Sequence, residues 1–195
     1  MSPMRKALLK WARRIHLYLT LFTLGLILLF AVTGFMLNHE DWFVSGEPNT
    51  RTVEGKLPLA MLSGPDRLAV VETLRNNFSA VGPVDSFEEQ DDTLTVVFKR
   101  PGLRVEAVIQ RDGGETTLAF ESKGLNGILL DLHRGKSTGW LWSLVIDGLC
   151  VCLVITALTG LVLWSSLKDR GRPGLVVMAA GVAASVAVVW WFAMG

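Results

Sequence analysis

Between residues 15 and 39 the chain reads IHLYLTLFTLGLILLFAVTGFMLNH, an apolar run with a histidine near each end and no charge between them. As a helix rising about 1.5 Å per residue, the run separates His16 from His39 by about 34 Å, one hydrocarbon core plus part of its interfaces. Few folds admit such a stretch. In lipid every backbone polar group must be satisfied within the segment, so the run is a bilayer-spanning helix and the rest of the chain stands on either side of it.

Half of the 195 residues are hydrophobic and the mean hydropathy is +0.40, with the apolar residues concentrated in three blocks. Clustering of this kind indicates an α-helical membrane protein with three transmembrane helices and one modest polar domain. Arg5, Lys6, Lys10, Arg13 and Arg14, with no acid among them, make residues 1–14 a cytoplasmic flank. Residues 15–38 form the first span, too long for the h-region of a signal peptide and without a convincing cleavage site, hence an uncleaved anchor. Residues 139–166 form the second span, with Trp140 and Trp142 at one interface and Trp164 at the other. Lys168, Arg170 and Arg172, opposed only by Asp169, place the loop 167–174 in the cytoplasm. The third span, 175–193, carries Ala180, Gly181, Ala183, Ala184, Ser185 and Ala187, small residues that allow another helix to approach, in a second copy or a larger membrane complex. The lipid bilayer is thus the first partner, and nothing in the chain points to nucleic acid.

Residues 39–138 then lie outside the cytoplasm. After a connector with Gly46, Pro48, Gly55 and Pro58, the stretch Ser63-Gly-Pro-Asp66 resembles a helix start, and Leu68, Val71, Leu74 and Phe78 follow at helical spacing up to a stop at Gly82-Pro83. Residues 93–99, 103–110 and 115–122 read as consecutive antiparallel strands joined by Pro-Gly and Asp-Gly-Gly turns, with 84–89 as a further edge strand. One helix on a three- or four-stranded meander is a small α+β layer pair. Residues 125–133 (LNGILLDLH) form an amphipathic connector that could lie along the membrane surface before the chain re-enters.

The residues that could carry chemistry are few. Cys150 and Cys152, two positions apart in the second span, cannot pair with each other on a helix, and no CxxC, CxxCH, HExxH, Walker or nucleotide fingerprint is present. Independent hydrolytic or ATP-driven chemistry is not expected, and no catalytic residue can be named. Glu88, Glu89, Asp91 and Asp92 read as a solvated acidic loop or a weak site for a cationic or metal-bearing substrate. The three histidines, His16, His39 and His133, all lie at span boundaries. His39 and His133 fall on the same outer side, where an antiparallel helix pair would bring them together as the two axial ligands of a b-type haem; the alternative is a pair of half-wet interfacial side chains. His16, a membrane thickness away, could bind a second haem with a partner from elsewhere, or contact lipid phosphate beside Arg13 and Arg14. Asp147, about seven residues into the second span, is a candidate for proton movement or a partner of Arg134, Lys136 or a ligating histidine; otherwise nearby hydroxyls or water satisfy it. A faint repeat links LLFAVTGFML, around Thr33-Gly34, with LVITALTGLVL, around Thr159-Gly160, and both glycines read as sites of close helix packing.

RRIHLYLTL leading to AVTGFMLNH, then LHRG, then GWLWSLVIDGL and TALTGLVLW, resembles the PepSY-associated transmembrane helix proteins of bacterial inner membranes, and the helix-plus-meander segment resembles a PepSY domain. The resemblance runs nearly to Trp164. It implies an extracytoplasmic domain in the periplasm and kinship with haem-containing reductases that pass electrons to ferric siderophores there. By that resemblance His16, His39 and His133 correspond to boundary histidines suited to haem ligation. The chain departs from larger members in having three spans rather than four or more, with no histidine in the last. Two functions follow as expectations: electron transfer through haem b to a ferric siderophore or similar metal complex, as a reductase or a subunit of one, or a noncatalytic PepSY interaction or inhibitory module anchored in a larger complex.

Overall fold

The structure, a computed structural model, describes residues 2–44, 48–62, 64, 66–167 and 171–194. Gly46 of the expected connector, Ser63 and Pro65 of the expected helix start, and Lys168, Asp169 and Arg170 of the expected cytoplasmic loop lie outside the described residues. In chain order the elements are α1 (Pro3–Asn38), α2 (Glu40–Phe43), β1 (Asn49–Lys56), a 3-10 turn (Leu59–Met61), α3 (Arg67–Phe78), β2 (Val84–Glu89), β3 (Thr93–Arg100), β4 (Leu103–Gln110), β5 (Glu115–Ser122), α4 (Gly124–Arg134), α5 (Gly139–Trp164) and α6 (Gly171–Met194). The chain divides into two compact units, Met1–Ile27 with Asp147–Gly195, and Leu28–Ile146.

The first unit holds the N-terminal part of α1, most of α5, and α6. Helices α1, α5 and α6 are each long and apolar enough to cross a membrane, which makes this a multi-pass membrane protein. Their large apolar side chains are mostly exposed, among them Leu21, Phe22, Leu158, Val182 and Val189, as helix surfaces solvated by lipid rather than by water should be. The α1 helix begins at Pro3, so the basic flank expected ahead of the first span is itself helical.

The second unit is built on a five-stranded antiparallel sheet in the order β1-β5-β4-β3-β2. Strands β2 to β5 form the expected meander, and the β3–β4 and β4–β5 turns need glycine: Gly102 and Gly114 have φ of +72° and +71°. The sequence reading missed β1, which pairs antiparallel with β5 from Asn49↔Ser122 to Lys56↔Glu115 in the stretch taken for a connector. Since β1 and β2 occupy opposite edges, the α3 segment between them crosses one face of the sheet. The register sets Phe87, Val96, Ala107, Leu118 and Val53 in one row across all five strands on that face. Val70, Val71, Leu74 and Phe78 of α3 belong to the same buried core as Leu94, Val96, Phe98, Val105, Ala107, Ile109 and Leu118. Gly55 of β1 lacks a side chain where the Phe78 ring sits. Leu68, expected in the core, is 68% exposed, and Val70 occupies the buried position instead.

Asp66 caps α3, its carboxylate accepting from the backbone N–H groups of Leu68 at 3.1 Å and Ala69 at 3.3 Å. The helix ends at Phe78 with Ser79 in the left-handed region, ahead of the Gly82-Pro83 pair expected to stop it. Asp66→Ala is expected to lower the stability of the sheet domain by about 1 kcal/mol. Hydrogen exchange of the α3 amides in the full-length protein measures this, and Asp66→Asn should restore most of the loss.

The opposite sheet face is polar. Lys99, Arg104 and Glu121 stand in one cross-strand row on it. At the sheet end near the β3–β4 turn lies α4, whose Asp131 carboxylate accepts from Gly102 N–H at 2.8 Å, while Gly102 C=O accepts from Lys123 N–H at 3.0 Å. Ile128 also sits against Gly102, whereas Leu125 is 70% exposed. The amphipathic connector is therefore fastened to the β3–β4 hairpin through Lys123, Ile128 and Asp131 and leaves Leu125 exposed.

Candidate functional site

Two histidines meet the same partners, one in each unit. In the second unit, His133 is the penultimate residue of α4, which Gly135 closes in the left-handed conformation. Two contacts hold that end of the helix in place, Arg134 pairing with Glu40 of α2 and Trp142 Nε1 donating to Leu132 C=O at 2.8 Å, and a third holds its start, where Asn126 donates to Phe43 C=O. The His133 ring consequently lies against α1, with its centroid 5.2 Å from that of Phe30 and its Nδ1 2.8 Å from the Thr33 hydroxyl. Trp142 stacks on the same Phe30 at 6.3 Å and 14°. Gly34 makes the approach feasible: a β-carbon built there would stand 3.2 Å from His133 Cε1.

In the first unit, His16 of α1 faces α5. Its Nδ1 lies 3.0 Å from the Thr156 carbonyl oxygen and 3.2 Å from the Thr159 hydroxyl, and its Cε1 is the nearest atom to a β-carbon built on Gly160, at 3.4 Å. The Thr-Gly repeat thus receives an imidazole in each unit. The space over Gly34 and Gly160 is taken by a histidine ring of the neighbouring helix, so each glycine stands at a close helix approach, as expected, with an imidazole as the group that approaches.

The partners constrain Nδ1. A carbonyl oxygen can only accept, so His16 Nδ1 carries a proton. Thr159 Oγ1 donates to the Ile155 carbonyl at 2.8 Å and so accepts from the same Nδ1–H. At His133 the partner is a hydroxyl, which can give or take a proton: Thr33 Oγ1 lies 2.6 Å from the Leu29 carbonyl, and when its proton goes there it accepts from Nδ1–H at 2.8 Å. Each ring is held through Nδ1, and Nε2 has no hydrogen-bond partner among the described residues; an unprotonated Nε2 is the atom such a ring would offer a metal.

His39 is set differently. It separates α1 from α2, and its ring stacks on Trp42 at 4.2 Å and 17° and leans on Phe35 at 4.7 Å. Among the described residues its ring has no hydrogen-bond partner and no ring contact with His133. The aromatic cage around His39 and the Thr33 anchor of His133 are thus separate settings within one unit.

Asp147 is exposed on α5, with no hydrogen bond or ion pair among the described residues; Arg134, one of its expected partners, is engaged by Glu40. Cys150 and Cys152 are both free. In the acidic cluster Glu89 pairs with Arg67 at 3.0 Å. Among the described residues no group of three or more His, Cys, Asp or Glu side chains converges to hold a bare metal ion. A haem has a lower requirement, since the porphyrin supplies four nitrogens and the protein only axial ones. His16 and His133 are each held through Nδ1, with no hydrogen-bond partner at Nε2 among the described residues, and so have a nitrogen that such a group could use.

Sequence reasoning found the histidines but missed Thr33, Thr159, Phe30 and Trp142, which orient them. The signal was present as the Thr-Gly repeat, which says nothing by itself about which side chain fills it.

The PepSY_TM-like family model matches residues 8–193, taking in most of α1, the whole sheet domain, α5, and nearly all of α6. The chain belongs to the PepSY_TM-like family. Both Thr-Gly/His constellations of this PepSY_TM-like protein lie inside the matched region, and so does the third span. No curated protein and no solved structure matches the chain.

Proposed function

We propose that this PepSY_TM-like protein is an electron-transfer protein of the bacterial inner membrane, with its sheet domain in the periplasm, that binds haem b and contributes to the reduction of a ferric siderophore or a similar metal complex. One observation supports the reading above all. Two histidines, in different units, are each held through Nδ1, and Nε2 of each has no hydrogen-bond partner among the described residues. An axial ligand requires a fixed ring plane and tautomer, which a threonine partner and a glycine gap together favour. His133 is the first ligand on this reading, His39 its candidate partner from the same unit, and His16 the donor for a second haem. Bound haem iron would supply one-electron chemistry. The chain's own part is to hold the imidazole rings in place and to surround them with apolar helices that exclude water.

The test is a reduced-minus-oxidised spectrum of the detergent-purified full-length protein with haem quantified per chain. A Soret and α-band signal at one haem or more per chain, lost from the outer site in His133→Ala, is the expected result. A protein that stays colourless after haemin is added overturns the reading. A second reading, an accessory subunit or interaction module of a larger membrane complex, draws support from α6, none of whose apolar window is buried within the chain. On that reading the colourless protein co-purifies with a stable partner.

A further inference from the structure

The polar face of the sheet ends in a groove of about 590 Å³, within the range of small-molecule sites, where the strand row of Lys99, Arg104 and Glu121 meets α4 and the turn into α5. Six cations line it: Lys99, Arg100, Arg104, Lys123, Arg134 and Lys136. Three carboxylates line it as well, and each is already engaged. Asp85 pairs with Lys99 at 2.7 Å, Glu121 lies 3.8 Å from Arg104, and Asp131 accepts from Gly102 N–H at 2.8 Å. Arg104 also pairs with Glu106, and Arg134 with Glu40. Arg100, Lys123 and Lys136 remain, exposed and without an ion pair among the described residues. They come from three different segments: the end of β3, the residue capping α4, and the turn after α4. Only the packing of α4 on the β3–β4 hairpin brings them to one groove.

The geometry points to this groove as a binding site for an anionic phosphate group, one whose negative charge is not cancelled by an attached amine. A phosphate has the oxygens to bridge several cations from different segments, and lysine and arginine are the side chains that take it. Lys136 and Ser137, which line the groove, lie two or three residues ahead of the start of α5, where the chain enters a helix that can span a membrane. The phosphate can therefore come from an anionic lipid headgroup or from a soluble compound. The site is independent of any haem.

The test compares the full-length protein with Arg100→Gln/Lys123→Gln/Lys136→Gln, and with a charge-matched control, Arg51→Gln/Lys56→Gln/Arg111→Gln, that leaves the groove intact. Phosphatidylglycerol retention against phosphatidylcholine is read by native mass spectrometry, and inorganic phosphate binding by calorimetry at low salt. Each Lys or Arg near an anionic surface contributes about fivefold, so the groove variant is expected to bind about 100-fold more weakly while the control is much less affected. Selective loss of phosphatidylglycerol retention in the groove variant supports the site and identifies a lipid source; a parallel loss with inorganic phosphate supports it and identifies a soluble one. If neither probe distinguishes the groove variant from the wild type, or the control loses as much, the site is overturned. Unchanged amide exchange of the sheet in the groove variant establishes that the loss is not unfolding.

Discussion

Phe98→Ala is expected to destabilise the sheet domain by about 3–5 kcal/mol, the cost of a large ring removed from a core that cannot collapse onto the space. Phe98 is fully buried; its β-strand neighbours in register are Val105 and Val84, and the Arg75 guanidinium lies 5.8 Å from its ring centre. Small domains are stable by about 5–15 kcal/mol in all, so the loss is a large share of what holds the sheet together. Amide protection across β3, β4 and β5, followed by hydrogen exchange in the detergent-solubilised full chain, should fall by about 100-fold or more. Leu68→Ala, in the first turn of α3 but 68% exposed, should change stability by less than about 0.5 kcal/mol. Equal effects of the two substitutions would mean that α3 packs through a different face.

The contrast between Phe98 and Leu68 shows where the sequence was legible. Strands β3, β4 and β5 are rich in β-branched and aromatic residues and are separated by turns whose glycines need positive φ, so local chemistry alone marks them. β1 carries no such mark. On its core-facing side only Val53 is apolar, between Arg51 and Gly55, so the alternation that betrays a strand is masked. What makes it a strand is β5, some sixty residues further along the chain. Leu68 was misread because the 3.6 period fits several faces of a short helix, and the sheet beneath it decides which face is buried. The three membrane helices needed no tertiary information, because their length and composition reflect the bilayer rather than a neighbour. The candidate site falls between these cases. Three histidines at span ends are visible to inspection, but the partner of each is set by which turns of α1, α4 and α5 face one another, and no local pattern encodes that.

That is why the hydroxyl partners give the sharpest test of the site. Thr33→Val keeps the shape of the side chain and removes the acceptor that His133 Nδ1 uses at 2.8 Å. The imidazole then loses what fixes its tautomer, and its Nδ1–H is left without an acceptor in a helix interface, where polar groups find few replacements. Loss of such an outer partner typically weakens ligation 10- to 100-fold, so haemin titration of Thr33→Val should show an affinity lower by about that factor at the outer site. Thr33→Ser, which keeps the hydroxyl, should bind as the wild type does. Thr159→Val should produce the corresponding loss at His16, less completely, because the Thr156 carbonyl remains 3.0 Å from the same nitrogen. A readout that needs no haem separates orientation from ligation: the imidazole ¹⁵N shifts of His133 should report a protonated Nδ1 in the wild type and a mixture of tautomers in Thr33→Val. If the tautomer mixes while haem affinity holds, Thr33 orients a ring that ligates nothing, and the electron-transfer reading then rests on His39 and His16 alone.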